Sequence, residues 1–142
     1  MRLDNKGYAL IEVVSVFMIG GVLANMAMSV TAWFSVNAAQ ESVVALHARA
    51  RAHAVERGRT VEFHLDPAGD SAWVEIDGET LEVARFDDVD LQASGDITLC
   101  MTPRRIADTQ CNSFSGVETV TFEVRGESSS LDIPSGRELI GS

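Results

Sequence analysis

The chain has 142 residues, enough for one modest domain beside a membrane anchor, and a formal net charge of −10. The acidity is concentrated late: residues 60–142 hold 17 Asp and Glu against five Arg and no Lys. A surface of that sign repels DNA phosphates and anionic lipid headgroups at long range, which disfavours both as partners of this region.

Residues 1–7, MRLDNKG, form a short polar leader that ends in Lys6-Gly7. From Val13 to Gln40 the chain then runs 28 residues without a charge. About 20 apolar residues suffice to cross a hydrocarbon core roughly 30 Å thick. As a helix the uncharged run would reach about 42 Å, so part of it emerges on the far side. Arg2 and Lys6 precede the run, and basic residues stay cytoplasmic. The N-terminus is therefore expected inside, with everything after Gln40 outside.

Glu12 lies just within the apolar segment. A carboxylate deep in a bilayer costs about 2.5–3.5 kcal/mol on insertion scales. It either snorkels to the interface or meets a positive partner. Cleavage after Gly7 would create such a partner by freeing an α-amino group on Tyr8.

The stretch KG-YALIEVVSVFMIGGVLANMAMS resembles the class III signal of type IV pilins and type II secretion pseudopilins. The resemblance implies that a dedicated prepilin peptidase cuts between Gly7 and Tyr8 and methylates the amine of Tyr8. It also implies that Glu12 helps subunits dock into a filament. Tyr8 departs from the family's commoner phenylalanine. An ordinary secretory signal, with Ala24–Ala27 imitating its cleavage site, fits less well. Such signals have a shorter apolar core, and Glu12 at its start is out of place.

Beyond the anchor, apolar residues recur at Val36, Ala39, Val43, Leu46, Ala50 and Ala54, in steps of three and four that mark one helix face. Gln40, Glu41, His47, Arg51 and Glu56 are assigned to the opposite, polar face. Arg49, Arg51 and Arg57 suit the negative end of the helix dipole, and Gly58 is a natural C-terminal cap. One helix from about Tyr8 to Arg57 is predicted, roughly 75 Å long, loosened at Gly20-Gly21 and Asn25.

After Gly58 the period drops to two. Val61, Phe63 and Leu65 alternate with polar residues, Asp66–Gly69 reads as a turn, and Ala72, Val74 and Ile76 follow. Asp77-Gly78 is a strong hairpin signal, with Leu81 and Val83 on the return strand. Further strands centre on Ile97–Met101, Val117–Val124 and Ser130–Ile133. Pro134-Ser135-Gly136 turns the chain into a last short strand, Arg137–Ile140. One long helix followed by a mostly antiparallel sheet is an α+β layout, and the resemblance implies a type IV pilin-like fold. The expected parts are 1–7 leader, 8–35 transmembrane or filament-core helix, 36–58 amphipathic continuation, and 59–142 periplasmic β-rich domain.

The segment LHARARAHAVERGRTVEFHL, with its Arg57-Gly58-Arg59 step, resembles the pseudopilin H and FimT-type minor pilin family. VTFEVRG and PSGR resemble that family's last strands. Cys100 and Cys111 lie outside the membrane by the orientation argument, in a compartment that permits disulfides, and a bridge between them is expected; two unpaired thiols are the alternative. Major pilins often close a disulfide near the C-terminus, whereas 31 residues follow Cys111 here, which argues for a minor subunit. Two cysteines lack a second ligand pair, and His47, His53 and His64 show no metal spacing, so neither metal nor cofactor is expected. Asp87, Asp88 and Asp90 suit either calcium, as in some pseudopilin loops, or a solvated turn. Some FimT-type pilins that bind DNA end in Gly-Arg-x-Arg. Here Gly136-Arg137-Glu138-Leu139 lacks the second arginine, leaving Arg104, Arg105 and Arg137 as weak candidates. Enzyme motifs for nucleophilic, phosphate or zinc chemistry are absent, so the chain reads as a peptidase substrate and not a catalyst.

By resemblance, the chain is a minor pseudopilin of a type II secretion system. It would be a single-pass bacterial inner-membrane protein that partners other pseudopilins. A FimT-type minor pilin of a type IV pilus is the alternative, and an anchored periplasmic binding domain that never polymerises is the third reading.

Overall fold

The computed structural model describes residues 5–104, 108 and 110–136, the side chains of 5–10 excepted. The leader residues 1–4, Arg105 and the expected strand Arg137–Ile140 lie outside the described residues. Helix α1 runs unbroken from Asn5 to Arg57, 53 residues, through Gly20-Gly21 and Asn25. It therefore begins three residues before Tyr8. Gly58 ends it at φ 63°, a left-handed conformation that glycine adopts without a Cβ clash. The amide of Arg59 reaches back to the carbonyl of Ala54 at 3.3 Å, the six-to-one bond of a Schellman cap.

Seven strands follow among the described residues: β1 Val61–Asp66, β2 Ser71–Ile76, β3 Glu79–Arg85, β4 Asp90–Gln92, β5 Ile97–Met101, β6 Val117–Val124 and β7 Glu127–Pro134. All pairings are antiparallel, but the strands form two sheets and not one. The first has order β3-β2-β1-β5, the second β4-β6-β7. Helix α1 packs against both. The six stripe residues from Val36 to Ala54 are all buried, joined by Ala32. Phe63, Leu65, Val74 and Leu99 cover them from the first sheet, and Val120, Phe122, Leu131 and Ile133 from the second.

Three departures from the sequence expectations have local causes. First, β7 starts at Glu127 because Arg125-Gly126 makes a two-residue hairpin turn with both φ positive, 49° and 86°. It matches the Asp77-Gly78 turn, at 51° and 84°, and both have the type I′ twist that suits strand pairs. Second, a β-bulge between Val74 and Glu75 changes the register of β3. Val83 consequently faces outward, 56% exposed, beside Trp73, while Glu82 turns toward the helix. Third, His47 is not on the polar face. It is 9% exposed and its ring meets Phe63 edge-on at 5.7 Å. Burial, helped by the Arg51 charge, lowers its pKa from 6.5 to about 4.

Cys100 and Cys111 are joined in a disulfide with Cα atoms 5.7 Å apart. The bridge holds the segment after it along the outer edge of β5. There the Cys100 amide donates to Asn112 Oδ1 at 2.9 Å, and the amides of Thr98 and Ser113 donate to Ser113 Oγ and the Thr98 carbonyl at 2.8 and 3.0 Å. Asn112 Nδ2 also donates to the Ser135 carbonyl at 2.9 Å, beyond the end of β7. The clamp thus covers an edge strand and ties the two sheets together.

Candidate assembly surface

From Ile11 onward, the first part of α1 has no protein packed against it. Every residue from Ile11 to Thr31 is exposed, and Ala32 is the first buried one. Those 21 residues span about 31 Å at 1.5 Å per residue, close to a hydrocarbon core. The helix is long and apolar enough to cross a membrane, with a mean hydropathy of 2.0 over its most apolar window. Its surface carries Val16, Phe17, Met18, Val22, Leu23 and Met26, all more than half exposed. A patch of this extent on a chain otherwise soluble in composition needs lipid or neighbouring helices as its surroundings.

The hydroxyls in this segment are already satisfied. Ser15 Oγ donates to the Ile11 carbonyl at 2.7 Å, Ser29 Oγ to Asn25 at 3.0 Å, and Thr31 Oγ1 to Ala27 at 3.1 Å. Such i−4 bonds let polar residues enter an apolar medium without an unpaired donor. Trp33 and Phe34 pack edge-on at 5.1 Å where the bare helix meets the domain. Tryptophan, with an apolar ring and a polar N–H, is enriched at membrane–water interfaces.

Glu12 is exposed and lies among Ile11, Val13 and Val14 near the start of the helix. Gly7 and Tyr8 are in the first two turns of α1. Glu12 comes five positions after Gly7, so within one chain they stand less than two turns apart. Among the described residues no cation pairs with Glu12. A positive group for it must come from elsewhere, if the carboxylate is ionised in an apolar setting.

The other expected sites fall as follows. Asp87 and Asp88 form an exposed turn, and Asp90 opens β4, a strand absent from the sequence reading. Asp88 and Asp90 line a cleft of about 380 Å³ with Glu123, Arg125 and Thr31, while Asp87 is not part of it. Among the described residues no metal-sized group of donor side chains includes any of the three aspartates. Arg104 is exposed in a turn. Arg105 and Arg137 lie outside the described residues.

On the helix side, Arg49 Nε and His53 Nε2 grip the two oxygens of Glu82 at 2.6 and 2.8 Å. The His53 hydrogen bond, joined by the Arg49 bond and the two positive charges, holds the Glu82 carboxyl below its usual range against the opposing effect of burial. Sequence reading missed this contact because the bulge in β3 brings Glu82 inward.

No protein-family model matches the chain, and no curated protein matches it in sequence. Its fold does match solved structures. The type IV minor pilin FimU of Pseudomonas aeruginosa (strain PAO1), in its P21 crystal form, gives a TM-score of 0.54 at 15% identity, covering 72% of this chain and 84% of that one. The P65 form of FimU gives 0.50 at 15% identity, with 70% and 86% covered. At this identity the likeness concerns the fold alone.

Proposed function

From a chain with a type IV pilin-like fold, we propose a minor structural subunit of a pilin-type filament, anchored in the bacterial inner membrane, with its β-rich domain in the periplasm. The observation that carries this reading is the sharp change at Ala32 between a wholly bare apolar helix and a packed domain. A bare helix of membrane length serves first as an anchor and then as the inner layer of a helical bundle of subunits. Residues 1–7 are the leader, 8–35 the anchor and filament core, 36–58 the helix that carries the domain, and 59–142 that domain. The prepilin peptidase cuts after Gly7 and methylates Tyr8. Glu12 of one subunit then pairs with the Tyr8 amine of its neighbour.

The filament we propose is the pseudopilus of a type II secretion system, with the chain as an H-type pseudopilin. The acidic domain and the missing second arginine after Gly136 support secretion over DNA uptake. The likeness to FimU favours a second reading, a minor pilin of a type IV pilus. Deleting the gene and scoring protein secretion against pilus-driven motility separates the two. Loss of motility with intact secretion would remove the first reading. For the shared reading, Glu12→Ala should leave cleavage and insertion intact while abolishing co-purification with other pilins. Equal incorporation of Glu12→Ala and wild type would withdraw the docking role. An intact mass that retains Met1–Gly7 would instead favour the anchored domain that never polymerises.

A further inference from the structure

Glu62, His64 and Glu75 stand together on the face of the first sheet that points away from α1. Strand alternation puts Glu62 and His64 on one side of β1, and the antiparallel register sets Glu75 directly across from Glu62. One donor atom from each lies within 4.8 Å of the others. His64 Nε2 is 3.1 Å from Glu62 Oε2 and 3.9 Å from Glu75 Oε2. The second ring nitrogen, Nδ1, is 3.1 Å from Thr98 Oγ1 on β5. Trp73 stacks on the imidazole at 5.0 Å, with 17° between the rings, and its indole N–H donates to Glu75 Oε2 at 3.3 Å. All three donor residues are partly buried.

We propose that this trio binds a divalent transition-metal ion of the zinc and copper class through His64 Nε2 and one oxygen each of Glu62 and Glu75. Metal–nitrogen and metal–oxygen bonds of about 2.0–2.2 Å place tetrahedral donors roughly 3.4 Å apart. The two measured separations from Nε2 bracket that figure, so a small movement of Glu75 completes the set. The imidazole selects against calcium and magnesium, which take oxygen donors. Thr98 and Trp73 supply the outer contacts that such sites use. Thr98 accepts the Nδ1 proton and leaves Nε2 free to ligate, and Trp73 fixes both the ring plane and a Glu75 oxygen. The fourth position opens to solvent. The competing arrangement is a metal-free hydrogen-bonded cluster of the same shape, with His64 Nε2 bonded to Glu62 Oε2 at 3.1 Å. The neighbouring group of Glu62 with Cys100 and Cys111 is no rival, because the two sulfurs are bonded to each other.

Copper(II) is the probe that distinguishes the metal site from the metal-free cluster, because it quenches a tryptophan close to it. The full chain in detergent micelles near neutral pH is titrated with copper(II) while tryptophan fluorescence is read. One equivalent should quench Trp73 saturably in the micromolar range. Trp73→Phe should abolish that saturable component although Trp33 remains. His64→Gln and Glu75→Gln should each weaken binding by more than about tenfold, and Thr98→Val by roughly tenfold. Glu75→Gln keeps the size of the side chain and its acceptor for Trp73, so it remains informative if His64→Gln disturbs the sheet. His53→Gln, at the separate Glu82 contact, should change nothing. Absence of saturable quenching up to about 1 mM copper(II), or wild-type affinity in both His64→Gln and Glu75→Gln, would overturn the site.

Discussion

Residues 11–31 and 32–57 belong to one continuous helix, yet one half is bare and the other is sheathed by two sheets. The bare half is apolar on every side, so it specifies no face and needs an isotropic apolar medium. The sheathed half confines its apolar residues to one stripe, so it specifies both a partner and an orientation. Backbone hydrogen bonding is the same in both. What differs is where the hydrophobic driving force acts: between the helix and its surroundings in the first half, inside the domain in the second. One element thus joins a part whose apolar surface is left to its surroundings to a part packed inside the domain.

The same substitution in the two halves tests that contrast most strongly. Leu46→Asp buries an unpaired charge between the helix and both sheets, and should destabilise the domain by more than about 4 kcal/mol. Val22→Asp should leave the domain's melting curve unchanged and instead disfavour membrane insertion by about 3 kcal/mol. Thermal melts of the full chain in micelles, beside a membrane-fractionation assay, read both. Similar melting losses in the two variants would erase the division at Ala32.

A second test uses acid. His47 is held neutral in the folded chain to about pH 4, whereas unfolding returns it to 6.5, so the unfolded chain takes up the proton first. The His47 contribution is complete above pH 6.5 and is lost progressively as pH falls toward 4, by about 3 kcal/mol at most. His47→Leu should flatten that part of the stability–pH curve, measured by denaturant melts across this range. An unchanged curve would mean that His47 is reached by water.

The clamp on β5 gives a comparable effect with a different origin. Replacing both Cys100 and Cys111 by alanine should remove about 3 kcal/mol by loop entropy, without touching the helix stripe. Amide exchange should quicken first in β5 and at Asn112–Ser113. Uniform loss of protection across α1 would argue that the clamp is part of the core. The smallest effect is expected from Arg49→Ala. Its bond to Glu82 is well formed, but the Arg49 side chain is 52% exposed, and such pairs contribute under about 1 kcal/mol. A melting shift as large as that of the disulfide variant would show that the Glu82 contact orients the helix on the sheet.

Local signals carried much of this fold. The helix stripe was legible because spacings of three and four repeat within a single turn-to-turn neighbourhood. The Asp77-Gly78 hairpin was legible because two positive φ angles demand small or polar residues. Arg125-Gly126 makes the same turn, but an arginine in its first position conceals it. The candidate assembly surface was legible almost entirely, since length, lack of charge and the place of Glu12 are properties of the chain read in order. The Glu82 contact and the His64 cluster were not, because each needs partners 29 or 33 residues away, or on a neighbouring strand.

The sequence by itself determined one long helix, apolar all round and then striped, followed by an alternating β region. These are short-range patterns, and the solvent preference of each side chain is enough to read them. Tertiary structure alone decided that the β region divides into two sheets, that a bulge turns Glu82 inward and Val83 outward, and that His47 lies beneath Phe63. It also decided that Glu75 comes to rest beside Glu62 and His64. Each of these depends on the register in which distant strands pair, and a shift of one residue in that register reverses which face every side chain takes.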